Sequence, residues 1–223
     1  MSFNPDIDTY IPGKIICVGM NYRSHIKEQD GRFPGKPVLF SKAPSCIIKN
    51  KENIIYPAEV RQLDYEVELA VVVGEKIKNV TRGKVYEHIY GYTIMNDITA
   101  RDIQKNESQW YRAKSFDTFG PIGPVIVKKD RITSPCNLNL RSYVNGELRQ
   151  NGNTLDMIFG VYELISYISR SITLEAGDLI STGTPSGVGI FMKEKKLLKP
   201  GDTVTCEIDK IGILENKIIK ETD

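Results

Sequence analysis

The chain has 223 residues, 40% hydrophobic and 26% charged, the balance of a folded domain rather than a disordered one. Thirty basic residues against 28 acidic ones leave a net charge of +2, which gives no field that would recruit nucleic acid or an anionic membrane. There are only two histidines, His25 and His88, and Cys17, Cys46, Cys136 and Cys206 form no C-x-x-C pair, so the composition argues against a histidine-built metal site, a zinc ribbon or a thioredoxin-like pair.

Any bound metal must then be held mainly by oxygen. The N-terminus, MSFNPDIDTY, has no basic start followed by an apolar stretch, and no run approaches the roughly 18 apolar residues of a membrane span. The expectation is a reduced cytoplasmic protein with four buried thiols. In that setting the sequons at Asn79 and Asn106 carry no glycan.

In chain order, residues 14–19 predict a short strand that ends at Gly19. Residues 22–37 are polar and interrupted by Gly31, Pro34, Gly35 and Pro37, which predicts a short helix inside a mobile loop. Short strands follow at 38–40 and 54–56. Residues 65–73, YEVELAVVV, alternate and then run β-branched, which predicts the strongest strand, buried on both faces in its second half. A short helix is expected at 85–90, a strand at 92–95 and a helix over 99–109. Strands return at 121–128 and 138–144, the latter closed by the hairpin signal Asn145-Gly146. Residues 157–169 carry Ile158, Val161, Leu164, Ile165 and Ile168 at helical spacing, and strands end the chain at 178–182, 203–208 and 212–219. Strands outnumber helices and never alternate with them regularly, so the fold class is α+β and β-rich, not doubly wound.

No G-x-S-x-G, G-x-x-x-x-G-K-[ST] or G-x-G-x-x-G motif is present. What stands out is Glu66 and Glu68, two apart in the strongest predicted strand and therefore on one face. Beside Ala70-Val71-Val72-Val73 such a pair needs either water or a cation. Asp97, after the 92–95 strand, would add a third carboxylate, a donor set suited to a hard divalent ion. If the next segment is helical from Asp97, then Asp97, Arg101 and Gln104 share a face, either as a solvated ion pair or as part of a site. Lys114 among aromatics reads equally as a snorkelling side chain. The loop 183–189, GTPSGVG, has amides and a hydroxyl able to hold a carboxylate. His25 and Glu28 lie one helical turn apart, so the acid can orient the imidazole as a base.

Together these stretches resemble the fumarylacetoacetate hydrolase family. They are VGMNY at 18–22 with His25 and Glu28, LDYEVELA at 63–70, NDITARDIQ at 96–104, AKSFD at 113–117, VNGE at 144–147 and TGTPSGVG at 182–189, spread over about residues 14–219. The resemblance implies rolled, layered β-sheets in a single catalytic domain at 14–223, after an N-terminal extension at 1–13, in the manner of the short branch without an extra N-terminal domain. It implies a homodimer and a Mg²⁺ or Mn²⁺ site (Ca²⁺ standing in within a crystal), with Glu66, Glu68 and Asp97 matching the metal ligands. His25 and Glu28 match a base dyad on a lid at about 22–37 that orders when substrate binds. Lys114 matches a residue that stabilises the enolate, and Arg101, Gln104 and Thr184 match residues that hold a 2-oxo acid.

The activity implied is hydrolysis of the carbon–carbon bond of a 2,4-dioxo acid such as an acylpyruvate, by way of a pyruvate enolate. The same site would also serve an oxaloacetate tautomerase or decarboxylase, or a 2-hydroxy-diene-dioate isomerase. Met20 stands where some relatives have arginine, and only five residues separate Gln104 from Trp110; both bear on the substrate pocket. His88, with no motif around it, reads as structural.

Overall fold

A computed structural model describes residues 4–222. In chain order the strands are Ile15–Gly19 (β1), Val38–Lys42 (β2), Ile47–Ile48 (β3), Ile54–Tyr56 (β4), Leu63–Asp64 (β5), Val67–Val73 (β6) and Ile89–Asn96 (β7). They continue with Thr99–Ala100 (β8), Gly120–Lys128 (β9), Asn139–Val144 (β10), Glu147–Asn153 (β11), Leu179–Ser181 (β12), Thr203–Ile208 (β13) and Gly212–Lys220 (β14). The α-helices are Arg23–Glu28 (α1), Val85–His88 (α2), Arg101–Asn106 (α3), Tyr111–Lys114 (α4) and Val161–Ser171 (α5).

Seven strands form a mixed sheet in the order β2-β1-β12-β6-β7-β9-β3, five form a second sheet in the order β11-β10-β13-β14-β4, and β5 pairs with β8. The second sheet rolls over the first through contacts of β10 with β6, β13 with β7 and β14 with β9. This is the β-rich, layered α+β architecture expected. Every residue of β6 is buried, because sheet neighbours flank it on both edges and packed layers cover both faces. α5 buries Val161, Leu164, Ile165 and Ile168. The hairpin at Asn145-Gly146 forms with both residues at positive φ, 52° and 81°, as a two-residue turn between right-twisted strands requires.

Several boundaries differ from the sequence reading: the helix at 85–90 gives way to strand at Ile89, so the strand read at 92–95 runs from Ile89 to Asn96, and the strand read at 38–40 extends to Lys42. The central strand starts at Val67, not Tyr65, because the Asn96 side chain, rather than a strand backbone, accepts from the Glu66 amide at 3.0 Å. The helix expected over 99–109 covers only 101–106, since Thr99 and Ala100 are held extended against Asp64 and Leu63. α5 starts at Val161 behind Gly160, later than the apolar spacing indicates. The four cysteines are free, but Cys136 is only half-buried.

β1, β7 and β12 run in one direction and β6 runs against them. The C-terminal ends of the first three therefore lie at the same edge as the start of β6. The functional residues gather at that edge.

Candidate active site

Glu68 lies on β6, Glu66 just before it and Asp97 just after β7. Asp97 donates its backbone amide to the Glu66 carbonyl at 2.9 Å, which brings the two acids together across the end of the strand pair. The three carboxylates each offer an oxygen within 4.8 Å of the others, and all three residues are buried. The cations around them are buried as well. Lys114 Nζ donates to Glu66 Oε2 at 2.7 Å and to Asp97 Oδ2 at 2.6 Å. Lys42 Nζ donates to Asp97 Oδ1 at 2.6 Å. Arg101 donates from Nη2 to Glu66 Oε1 at 2.6 Å, from Nε to Asp64 Oδ2 at 2.9 Å and from Nη1 to Gln104 Oε1 at 3.1 Å.

Burial disfavours the charge on Glu66, but Arg101 and Lys114 outweigh it and hold that carboxyl well below the usual carboxylate range. Glu68 behaves oppositely. Burial, with Asp97 and Glu66 beside it, pushes its carboxyl up to about 8, although Ser181 Oγ at 2.5 Å and the Gly183 amide at 2.9 Å donate to it. Burial works against the Lys114 ammonium, yet Asp97 and Glu66 raise its pKa. Four carboxylates (Asp64, Glu66, Glu68 and Asp97) thus meet three cations (Lys42, Arg101 and Lys114), all of them buried. That leaves one negative charge in excess, and burial with this crowding of like charges is what pushes the Glu68 carboxyl up. An all-oxygen donor set with surplus negative charge fits a hard divalent ion.

The loop 183–189 has partners of its own within the protein. Its glycine amides grip carboxylates of the protein: Gly183 grips Glu68, Gly187 donates to Glu28 Oε2 at 2.8 Å, and Gly189 donates to Asp64 Oδ1 at 2.8 Å. Gly187 sits at φ +103°, where a Cβ would stand 2.2 Å from the Arg149 carbonyl oxygen, so no other residue fits. Thr184 Oγ1 donates to the Val67 carbonyl at 2.8 Å and accepts from Gln150 Nε2 at 2.7 Å. The hydroxyl is thus committed to the frame. Gln150 is fully spent: its Oε1 also accepts from the Val67 amide and Ser142 Oγ, and its Nε2 also donates to the Pro185 carbonyl.

Opposite the acids, His25 Nδ1 lies 2.6 Å from Glu28 Oε1 on α1. The Ser24 amide donates to Asp156 Oδ2 at 2.9 Å, and Arg23 donates to the Met157 carbonyl at 2.8 Å, so α1 is tied to a segment far off in sequence. The His25 ring also meets Phe191 edge-on at 6.0 Å.

A cavity of about 120 Å³ opens between these groups, and His25, Glu66, Glu68, Arg101, Gln104, Lys114 and Thr184 line it. Asp97 lies beneath it, and Glu28 stands behind His25. The sequence-derived set therefore comes together, with one change of geometry. Asp97 precedes α3 instead of sharing its face with Arg101 and Gln104, and reaches them through Lys114 and Glu66. His88 stands apart, beside Glu75. Lys42, Asp64 and Gln150 were not among the predicted residues. Asp64 lies in the quoted LDYEVELA stretch and was open to being singled out there, whereas a lone lysine in a strand and a glutamine in a hairpin carry no local signal.

The family model for the fumarylacetoacetate (FAA) hydrolase C-terminal domain matches residues 14–219. The chain belongs to this family. Among relatives in the fumarylacetoacetate hydrolase family, a mitochondrial oxaloacetate tautomerase of Bos taurus is 46% identical over 210 residues, covering 93% of this chain and 67% of the relative. A solved fumarylacetoacetate hydrolase from the psychrophile Exiguobacterium antarcticum is 46% identical with a TM-score of 0.89, over 95% of this chain and 77% of that one. A solved 2-hydroxyhepta-2,4-diene-1,7-dioate isomerase from Mycobacterium marinum is 39% identical with a TM-score of 0.85, over 96% and 77%. Among the described residues, no helix is long and apolar enough to cross a membrane.

Proposed function

We propose that the chain is a divalent-cation-dependent enzyme that interconverts the keto and enol forms of oxaloacetate. The observation that carries this reading is the buried Glu66–Glu68–Asp97 cluster, with Lys114 above it and the His25–Glu28 pair facing it across a small cavity. Glu66, Glu68 and Asp97 are the residues that would hold Mg²⁺ or Mn²⁺. When bound, the ion would supply Lewis-acid charge stabilisation to the acid's oxygens.

The remaining chemistry belongs to the chain. Glu28 accepts the Nδ1 proton of His25 and leaves Nε2 free as a base toward the cavity. His25 removes a proton from C3 of the keto acid, the C2 oxygen takes up the negative charge, and the Lys114 ammonium stabilises it. Return of that proton from the His25 imidazolium to the oxygen, directly or through a water, completes the enol and restores the base. Arg101, held by Asp64 and Glu66, keeps Gln104 at the cavity wall for the substrate's polar end.

Support beyond the geometry comes from the tautomerase relative. The isomerase among the solved structures supports a second reading, in which the same base moves a proton along a 2-hydroxy-dienoate. Hydrolysis of a 2,4-dioxo acid, the leading expectation from sequence, has weaker support: it adds a water and a bond cleavage, and the tautomerase and isomerase names favour proton transfer. The homodimer is part of the proposal and is checked by analytical ultracentrifugation.

One panel tests the reading. Metal-free and Mg²⁺-loaded protein is mixed with oxaloacetate, acetylpyruvate and fumarylpyruvate, and enol absorbance and pyruvate release are followed. Mg²⁺-dependent loss of oxaloacetate enol without pyruvate release is expected. Pyruvate release from acetylpyruvate or fumarylpyruvate with no effect on the oxaloacetate enol would return the assignment to hydrolysis. His25→Ala should lower the rate by about 10²- to 10⁴-fold and leave Mg²⁺ affinity unchanged; an unchanged rate excludes it as the base.

A further inference from the structure

The cavity has two unlike halves. One is ionic, formed by Glu66, Glu68, Arg101 and Lys114. The other is apolar, formed by Met20, Phe40, Trp110 and Phe191. The back of the apolar half is an interlock. A Cβ on Gly19 would stand 2.7 Å from Trp110 Cζ3, so the indole occupies the space that any other residue at 19 would claim. Phe40 meets the indole edge-on, with centroids 5.3 Å apart and an interplanar angle of 72°. Lys114 Nζ lies 5.1 Å from the centre of the Phe40 ring. The Trp110 carbonyl accepts from the Lys114 amide at 3.1 Å, so the wall and the lysine share one rigid turn. The distance from the reacting end of a substrate to the wall is therefore fixed by the fold.

The cavity between them is small, about 120 Å³. An acid anchored by its carboxylate and 2-oxo oxygen in the ionic half directs the rest of its chain at the indole.

We propose that Trp110, seated on Gly19 and braced by Phe40, is a specificity-determining residue that restricts the site to short 2-oxo acids. This rests on the reading of the site as one for 2-oxo acids. Chains too long for the cavity meet the indole before their carboxylate reaches the acidic cluster.

The test is a binding ladder that needs no turnover. The full chain with Mg²⁺ is titrated by calorimetry with pyruvate, 2-oxobutyrate, 2-oxopentanoate, 2-oxohexanoate and 2-oxooctanoate. Affinity should break downward by about tenfold or more within the ladder, the effect of one methylene too many in a closed pocket. Trp110→Ala should move the break to longer acids, and Trp110→Phe should move it by a smaller step while retaining more of the wall. Circular dichroism identifies the folded variants, and the milder Trp110→Phe keeps the test open if Trp110→Ala does not fold. Binding with no break, or a break that neither folded variant moves, overturns the inference alone. No binding of any member by the wild-type chain overturns the 2-oxo acid reading, and this inference with it.

Discussion

The two sides of the cavity are built in opposite ways. The acidic side stands on β6 and β7 at the centre of the seven-stranded sheet, where Glu68 and Asp97 are almost wholly buried and each carboxylate has at least two partners. The His25 side stands on a six-residue helix, attached to the rest of the chain by Ile26 and a few polar ties: Ser24 to Asp156, Arg23 to a carbonyl, and Glu28 to Gly187. A cluster of like charges needs a rigid, fully bonded surround to stay together. A base that must approach and leave a substrate does not. The difference predicts that damage on the sheet side removes cation binding or the fold, while damage on the helix side removes rate.

The largest expected effect is from Glu68→Gln. Cation binding by calorimetry should vanish, yet the metal-free protein should be as stable as wild type or more so at pH 8, because the amide replaces a carboxyl that already resists ionisation. Retained Mg²⁺ affinity would refute the ligand assignment. Next comes Lys42→Met, which leaves Asp97 with one partner fewer in a buried site. A loss of about 3–5 kcal/mol in denaturant unfolding is expected, and a loss below 1 kcal/mol would show that the sheet side does not depend on this charge.

A pH series on the metal-free protein sharpens the same side. Folded Glu68 keeps its proton up to about pH 8, whereas the unfolded chain releases it near the ordinary glutamate value, so the folded state binds more protons in between. Stability should therefore fall as pH rises from 5 to 8, by several degrees in melting temperature. Mg²⁺ should erase the fall, since the ion takes the place of the proton. A flat metal-free profile would remove the argument for surplus negative charge.

The smallest effect belongs to the helix side. Asp156→Ala removes the acceptor at the first turn of α1 and should cost about 0.5–2 kcal/mol. It should be read as faster amide exchange in α1, with Mg²⁺ affinity unchanged. A matching loss of cation binding would mean that the two sides are not separable.

Much of this arrangement was legible in the sequence. The apolar run around β6 placed the sheet centre, and the acids two apart in it pointed to a cation, because a strand projects alternate residues to one face. Thr203–Ile208 and the Asn145-Gly146 turn were readable for similarly local reasons. What escaped depends on partners distant in sequence. Glu66 looked like part of the strand because nothing nearby shows that Asn96 will take its amide hydrogen bond. Thr99 and Ala100 looked helical because their extended form is imposed by Leu63 and Asp64. Lys42 acquires a meaning only when the fold brings Asp97 to it, 55 residues away. The amides of 183–189 read as hosts for a carboxylate, but nothing local shows that the carboxylates they hold are the protein's own.

That last arrangement has a practical consequence. Three amide protons in one seven-residue loop each report on a different carboxylate: Gly183 on Glu68, Gly187 on Glu28 and Gly189 on Asp64. In a nitrogen-edited NMR spectrum glycine resonances fall in a sparse region, so the three signals can be followed side by side. Filling the acidic cluster would displace the Gly183 signal, and a swing of α1 would displace that of Gly187. Gly189, whose acceptor Asp64 also holds Arg101, would follow the cation side of the cluster, so one loop would report which group had moved.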